Sequence, residues 1–215
     1  MTGAPRLPRR SGPQVRAAVL VAAAAEFARV GYSGARLKEI ASLAGTSESG
    51  LARHFPSKEE LFSSAVLDPF RGLLASYEPS FSEMIDHPEP DRALIEAFIR
   101  ELFDQVNTHR DSVLALILAG NDPDAEQAVQ AAAEEMLELF RSAYGMTRKL
   151  YGRTGQVLPE SARMWPGLAA GMIVAATVFE RFFMPKGAAQ PSDPELLRTM
   201  TDVWLHGIMG DPGSR

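Results

Sequence analysis

The amino-acid sequence predicts an all-α fold of about nine helices, and three observations lead to this prediction. Apolar residues recur three and four positions apart through most of the chain, which places them on one face of a helix. No segment alternates apolar and polar residues over the length of a β-strand. Residues typical of helix ends, such as Gly45, Ser47 and Ser57, stand at the limits of the apolar stripes.

The elements follow from these signals in chain order. Residues 1–12 contain three Arg and no acid, and are expected to form a flexible arm. Pro13 suits the first position of a helix, whereas Pro69 predicts a kink or a break inside one. Prolines within 78–90 indicate a linker. The expected helices are 13–30, 37–44, 48–54, 58–75, 91–109, 112–119, 124–151, 159–184 and 193–209.

Composition sets limits on function. The 215 residues are 46% hydrophobic, which is enough to bury a core in one or two domains. The chain has no cysteine, which excludes disulfides and thiolate zinc sites. The net charge of −5 is uneven: residues 1–65 carry nine Lys or Arg against five Asp or Glu, and the remainder carries 13 against 22. An amino-terminal end suited to phosphate is thus joined to an acidic body.

Two uncharged runs resemble targeting segments. Ala17–Ala25 follows basic residues, as in a secretory signal, but its apolar stripe continues past Glu26 to Gly31 and indicates a helix. Trp165–Phe179 spans 15 residues, which is shorter than the roughly 20 that a bilayer core requires. We therefore expect a cytoplasmic protein without a membrane span.

The segment from Leu37 to Phe62 combines two short helices with the capped start of a third. Gly45 stands between the short helices, where a residue without a Cβ enters the left-handed conformation at little cost. Ser47 can cap the second helix, which is too short to be stable alone. Ser57 and Glu60 fit a capping box for the third. This arrangement is typical of a helix-turn-helix.

Specific residues extend this pattern. They are Ala22-Ala23, Glu26-Phe27, Gly31-Tyr32, Glu39-Ile40-Ala41, Ala44-Gly45, Leu51 and Arg53 through Leu61. On these residues Arg16 to Phe62 resembles the DNA-binding domain of the TetR family of transcriptional regulators. The resemblance implies a DNA-binding domain over 13–62, after the basic arm of 1–12, and a ligand-binding and dimerisation bundle over 63–215.

Candidate DNA contacts follow from the resemblance. The second helix would enter the major groove through short or polar side chains, with phosphate contacts beside it. The groove candidates are Thr46, Ser47, Ser49, Gly50 and Arg53, and the backbone candidates are Arg36, His54 and Lys58. The structural alternative is a plain turn between core helices.

Three residues depart from the family pattern. Glu48 replaces a usual cation, Ala52 a usual Tyr, and Arg36 a usual Thr. Glu48 would either accept a hydrogen bond from cytosine or stabilise the helix start. The arm residues Arg6, Arg9 and Arg10 would either read a minor groove or form a solvated tail.

Large apolar side chains in the remainder suggest a site for a small effector. They are Phe98, Phe103, Met136, Phe140, Tyr144, Met172 and Phe179. For any single one of these residues an ordinary core is the favoured interpretation, but the resemblance favours a pocket for the set, because members of the family commonly bind a small molecule in this region. Because Tyr144, Gln105 and Asn107 are the main polar candidates, we expect a hydrophobic or aromatic ligand of modest size.

Two helical stripes near the carboxy terminus suggest a homodimer. Gly167, Ala170, Gly171 and Ala175 would form a flat face of small residues, and Leu197, Met200, Val203, Trp204 and Ile208 an apolar stripe on the last helix. Both stripes would alternatively close the core of a single chain. A second copy is expected because one short recognition helix reads too few bases.

The sequence gives little support for an enzymatic function. The four histidines lack metal-ligand spacing, and no cofactor motif occurs. Gly45 to Ser49 resembles a nucleophile elbow only in part, because its last residue is Ser and no strand precedes it. The sequence therefore predicts a ligand-responsive repressor that binds a palindromic operator as a homodimer, without enzymatic activity or cofactor. The alternatives are an all-α enzyme or carrier that retains a helix-turn-helix, and a regulator released by a partner protein.

Overall fold

The computed structural model describes residues 11–86, 92–155, 157–183 and 193–208. Within these ranges the chain is helical and contains no β-strand. It forms eleven α segments, of which two are parts of one continuous helix and one is a single turn. The prediction of an all-α fold of about nine helices is confirmed. None of the described helices is long and apolar enough to cross a membrane.

Four segments form the amino-terminal part. They are α1 (Gly12–Gly34), α2 (Leu37–Leu43), α3 (Glu48–Ala52) and α4 (Lys58–Phe62). Pro13 lies in the first turn of α1 as predicted. The helical path of α1 is interrupted at Gly31, whose φ of 76° lies in the left-handed region. This interruption turns the last residues of α1 toward α2.

One long helix joins the amino-terminal part to the rest. A π-helical segment, Ser63–Leu67, connects α4 to α5 (Asp68–Asp86) without a break. Pro69 is the second residue after the π segment, whose wider turn changes the hydrogen-bond register close to the point where a kink or break was predicted. The prediction of a linker over residues 78–90 is wrong for residues 78–86, because these residues belong to α5, which continues through Pro79. Residues 87–91 lie outside the described ranges.

The carboxy-terminal part contains the remaining segments. They are α6 (Arg92–Thr108), α7 (Arg110–Ala119), α8 (Glu126–Thr154), α9 (Trp165–Thr177), α10 (Glu180–Phe183) and α11 (Asp193–Asp202). A second π-helical segment, Val203–Ile208, follows α11. The apolar stripe of α5 includes Tyr77 and Phe81, which pack on the ring of Phe98 in α6. This packing holds α5 helical across Pro79 despite one lost backbone hydrogen bond.

Two apolar cores stabilise the molecule. The first contains Phe27, Tyr32 and Phe62, whose ring centroids lie 5.0–5.9 Å apart. Small residues of α7 and α8, including Ala115, complete this core, so the amino-terminal helices pack directly on the body. The second core lies among α5, α6, α9 and α11. Because the first core continues to Phe70, a domain boundary at residue 62 stays a prediction.

Candidate DNA interface and effector region

The turn between α2 and α3 has the geometry of a helix-turn-helix. Gly45 adopts a φ of 67°, as predicted for the residue that ends the first helix. The Ser47 hydroxyl accepts a hydrogen bond from the Gly50 amide at 3.1 Å and caps α3. A Cβ built on Gly50 would lie 2.5 Å from Thr46 Oγ1, so the turn and the helix approach as closely as a glycine allows.

The short helix α3 presents one face to the core and another to solvent. Leu51 and Phe55 are fully buried and fix it to the first core. On the opposite side Ser47, Ser49 and Arg53 are exposed. Glu48 is exposed in the first turn of α3, a position favourable to the helix dipole. The predicted groove candidates therefore share one accessible surface.

Cationic groups flank this surface. Lys58 Nζ donates to the Ser33 carbonyl at 3.3 Å and lies 4.8 Å from the centre of the Tyr32 ring. Arg36 is the exposed residue before α2, and His54 is half-buried beside α3. The guanidinium of Arg16 lies 5.1 Å above the Phe55 ring.

Sequence reasoning did not include Arg16 among the candidate contacts. The available signal was its position in the first turns of the helix that supports α3. The arm residues Arg6, Arg9 and Arg10 lie outside the described residues.

A polar link connects this region to the turn between α7 and α8. Asp122 accepts hydrogen bonds from the Ser33 amide and hydroxyl, both at 2.7 Å, and Asp124 accepts from the same hydroxyl at 2.9 Å. These bonds from Ser33 lower the pKa of Asp122 below its usual value. Nearby, burial and then the carboxylate of Glu59 raise the pKa of Tyr32 to about 12. The link joins Lys58, through Ser33, to the carboxy-terminal body.

Comparison with known proteins accounts for this geometry. Residues 19–65, which include the whole helix-turn-helix, match the model for bacterial regulatory proteins of the tetR family. Residues 19–65 thus form a DNA-binding domain of the type found in TetR-family transcriptional regulators. The matched segment contains the exposed helix α3.

Relatives with curated names agree with this assignment. The chain is 27% identical over 199 residues to the HTH-type transcriptional activator FasR of Mycolicibacterium smegmatis, covering 93% of this chain and 84% of FasR. It is 35% identical over 82 residues to the HTH-type transcriptional regulator RutR of Escherichia coli, covering 37% and 39% of the two chains.

Solved structures show the same fold. The TetR-family regulator PfmR of Thermus thermophilus superposes with a TM-score of 0.61 at 19% identity, over 86% of this chain and 95% of PfmR. FadR of Bacillus subtilis, in complex with stearoyl-CoA, superposes with a TM-score of 0.56 at 14% identity, over 89% and 98%.

The predicted effector residues do not converge on one site. Phe98 and Phe103 are buried in the second core, and Met172 and Phe179 pack against it. Met136 packs against the first core instead. The reason is the length of α8, whose 29 residues extend roughly 43 Å at 1.5 Å per residue and reach both cores.

The other predicted effector residues are less buried. Phe140 and Tyr144 are half-buried on α8, and the Phe140 ring lies against Gly167 of α9. Of the proposed polar anchors, Gln105 is half-buried and Asn107 is exposed.

A groove between α5 and α8 was not predicted. It has a volume of about 710 Å³ and is lined by Ala75, Pro79, Ser82, Asp86, Ser142, Gly145, Met146 and Lys149. Ion pairs between α5 and α8, at 3.0 Å in both Arg71–Glu135 and Arg153–Asp86, join the two helices on its flanks. The mixed polar lining differs from the apolar site expected from the sequence.

The predicted dimer residues separate into two groups. Gly171 is exposed on α9, and Ala170 and Ala175 are half-buried there. In contrast, Leu197, Met200 and Trp204 lie in the second core with exposed fractions of 1%, 3% and 7%. This stripe packs on α6 of the same chain, and its assignment to a dimer interface stays a prediction.

Proposed function

We propose that this chain is a TetR-family repressor that binds a palindromic operator as a homodimer and is released by a small apolar effector. The observation that carries the proposal is the exposed front of α3. Ser47, Ser49 and Arg53 form its surface, buried Leu51 fixes its back, and cations lie at its sides. A short helix held in this way fits a major groove, while the flanking cations meet phosphates.

A face of α9 supports the homodimer. Met164, the residue before α9, and Leu168 of α9 have exposed fractions of 54% and 61%, and Gly171 and Ala175 continue the same face at spacings of three and four residues. Leu137 of α8, which is 49% exposed, lies one turn before Phe140, whose ring contacts α9. Large apolar side chains grouped on neighbouring helices favour contact with a second copy.

The aromatic content of the second core supports an apolar effector. FadR, which has the same fold, holds stearoyl-CoA, and this supports a ligand with a long apolar part. An effector that reduces operator affinity a hundredfold must prefer the non-binding conformation by about 2.7 kcal/mol. The Ser33–Asp122 link offers a direct route for such a change to reach Lys58.

Operator binding by two variants tests the DNA-binding assignment. Arg53→Ala is expected to cost about 1–3 kcal/mol and to relax sequence preference, because this side chain faces the base edges. Lys58→Ala is expected to weaken all duplexes alike and to reduce the salt slope by about one, because its partner is phosphate. Affinities are measured against salt on the footprinted operator and on a random duplex.

The matched control is Arg141→Ala, which removes an exposed cation from α8. Equal losses from the Arg53 and Lys58 variants on both duplexes would remove Arg53 from the base-reading set. Equal loss from the Arg141 variant would show that net charge, rather than this surface, determines binding.

The likeness to FasR over most of both chains favours a second candidate, transcriptional activation, because FasR is named as an activator. A reporter under the footprinted promoter separates the two. Repression predicts higher expression when the regulator is deleted, and activation predicts lower expression.

A further inference from the structure

Four aromatic side chains form a connected cluster in the second core. Tyr77 and Phe81 come from α5, Phe98 from α6, and Trp204 from the π-helical segment after α11. Ring centroids lie 5.5 Å apart for Tyr77–Phe98 and Phe81–Phe98, and 5.9 Å apart for Phe98–Trp204. Tyr77 and Trp204 therefore both contact the ring of Phe98. We call these residues the aromatic cluster.

One polar atom in the aromatic cluster lacks a partner. Trp204 is 7% exposed, and its Nε1 has no hydrogen-bond partner among the residues that the structure describes. An indole N–H can only donate, and an unsatisfied buried donor carries a desolvation cost that native proteins seldom leave uncompensated. A group with an acceptor atom would remove this cost.

The backbone that carries Trp204 is also unusual. Val203–Ile208 is π-helical, a conformation that is rare and frequently found at functional sites. Leu197 and Met200, on the preceding α11, bury their side chains in the same core. Trp204 follows Met200 by four residues and continues the stripe of α11 into the second core, at the second position of the π segment.

Tyr77 supplies a second polar group beside Phe98. Burial raises the pKa of its hydroxyl, so this group keeps its proton over the physiological range and remains a donor. Two donor-bearing rings in contact with one apolar ring are suited to a ligand that accepts hydrogen bonds and has an apolar body.

We propose that the aromatic cluster binds an apolar or aromatic carbonyl compound, whose carbonyl oxygen accepts a hydrogen bond from Trp204 Nε1. The proposal rests on the effector response proposed above and specifies its chemistry. A ketone, amide, ester or thioester supplies the acceptor, whereas a hydrocarbon supplies none. The ligand's apolar part packs against Phe98 and displaces surrounding side chains of the second core.

The groove between α5 and α8 is a separate site. Ala75, Pro79 and Ser82 line it at spacings of four and three residues along α5. Tyr77 and Phe81 project from a different face of α5 into the second core. Ligand contact with Trp204 is therefore a test of the aromatic cluster alone.

A pair of nearly isosteric probes tests the hydrogen bond. The chain has two Trp, so Trp165→Phe leaves Trp204 as the only indole. In this background, labelled with ¹⁵N, acetophenone is expected to move the indole N–H proton resonance downfield. Ethylbenzene, which lacks the carbonyl, is expected to leave that resonance without a downfield shift. Absence of a downfield shift with acetophenone, or an equal shift with both compounds, would overturn the proposal.

Trp204→Phe provides the matched variant, because it removes the donor and keeps an aromatic ring. Acetophenone binding is expected to weaken about tenfold, with ethylbenzene binding unchanged. The melting temperature without ligand is expected to fall modestly, because Phe leaves part of the buried indole volume unfilled. Equal weakening of acetophenone and ethylbenzene binding by this substitution would show that the indole donor contributes no hydrogen bond and would overturn the proposal.

Operator binding by the Trp165→Phe protein is measured without ligand in the same preparation. Loss of operator binding there would contradict the proposed regulator. Retained operator binding with no response of Trp204 to acetophenone would contradict only the aromatic-cluster proposal.

Discussion

At the scale of single residues, the candidate DNA interface depends on the absence of a side chain at Gly50. Gly50 lies inside α3, so its backbone conformation does not require a glycine. The requirement comes from the lack of room for a side chain. A Cβ would lie 2.5 Å from Thr46 Oγ1 and 3.2 Å from Ser47 Oγ, the atom that caps α3. Both neighbours are candidate DNA contacts, so crowding at this residue would be transmitted directly to the interface.

Gly50→Ala is expected to destabilise the fold by about 1 kcal/mol and to reduce operator affinity about tenfold, because Thr46 and the Ser47 cap must move. Urea unfolding and operator titration measure the two effects. Gly72→Ala is the matched control, because Gly72 is an exposed residue of α5 and a Cβ there would have no neighbouring atom within 4 Å. The control is expected to stabilise the protein by up to about 1 kcal/mol. Equal behaviour of the two variants would contradict the steric explanation.

At the scale of elements, the link between Ser33 and the α7–α8 turn joins segments distant in sequence. Asp122 accepts two hydrogen bonds from Ser33, whose carbonyl in turn accepts from Lys58. Hydrogen bonds through Ser33 thus connect Asp122 in the α7–α8 turn to Lys58, a candidate phosphate contact. Sequence patterns did not indicate this link, because neither Ser33 nor Asp122 belongs to an apolar stripe.

Asp122→Ala is expected to cost about 1 kcal/mol at neutral pH and to speed hydrogen exchange of the Ser33 amide. Because the folded pKa of Asp122 is lowered, its contribution is present above the usual carboxyl pKa of 3.8 and is lost as the pH falls through the folded value. The difference in the free energy of unfolding between Asp122→Ala and the wild type should thus disappear only in strong acid.

Asp104→Ala, which removes an exposed carboxylate of α6, is the control for this link. It should leave exchange at Ser33 unchanged. Unaltered exchange at Ser33 in Asp122→Ala would show that the two parts of the chain are held by apolar contacts alone.

At the scale of the whole molecule, the proposed homodimer places two recognition helices on one DNA. The α9 face offers Leu168 and Met164, each more than half exposed, beside exposed Gly171. The apolar stripe of α11 is buried in the second core of the same chain. The second copy is therefore proposed to contact α9 and the adjoining part of α8.

Leu168→Glu is expected to produce monomers in analytical ultracentrifugation, because a charge would be buried in the apolar contact. Operator affinity is expected to fall at least about a hundredfold, since each monomer holds a single half-site. Ile117→Glu, on the 41% exposed Ile117 of α7, is the control and should remain dimeric. A dimeric Leu168→Glu protein would place the interface elsewhere.

The sequence by itself determined the elements and the helix-turn-helix. Local signals were sufficient for this, because a cap such as Ser47 and a left-handed Gly45 act within a few residues of their own helix. The predicted groove candidates consequently lie together on α3 and at its two ends. The helical character of α5 beyond Pro79 was missed because packing of Tyr77 and Phe81 on α6 outweighs a local breaker.

Only the tertiary structure decided which partner covers each apolar stripe. Periodicity shows that a face is buried, but it does not distinguish the same chain from a second copy or a ligand. Leu197 and Met200 therefore proved to be internal, and Met136 and Phe98 proved to lie in different cores. The lack of a partner for Trp204 Nε1 among the described residues likewise depends on every neighbour around it, a property of three-dimensional packing that no spacing along the chain encodes.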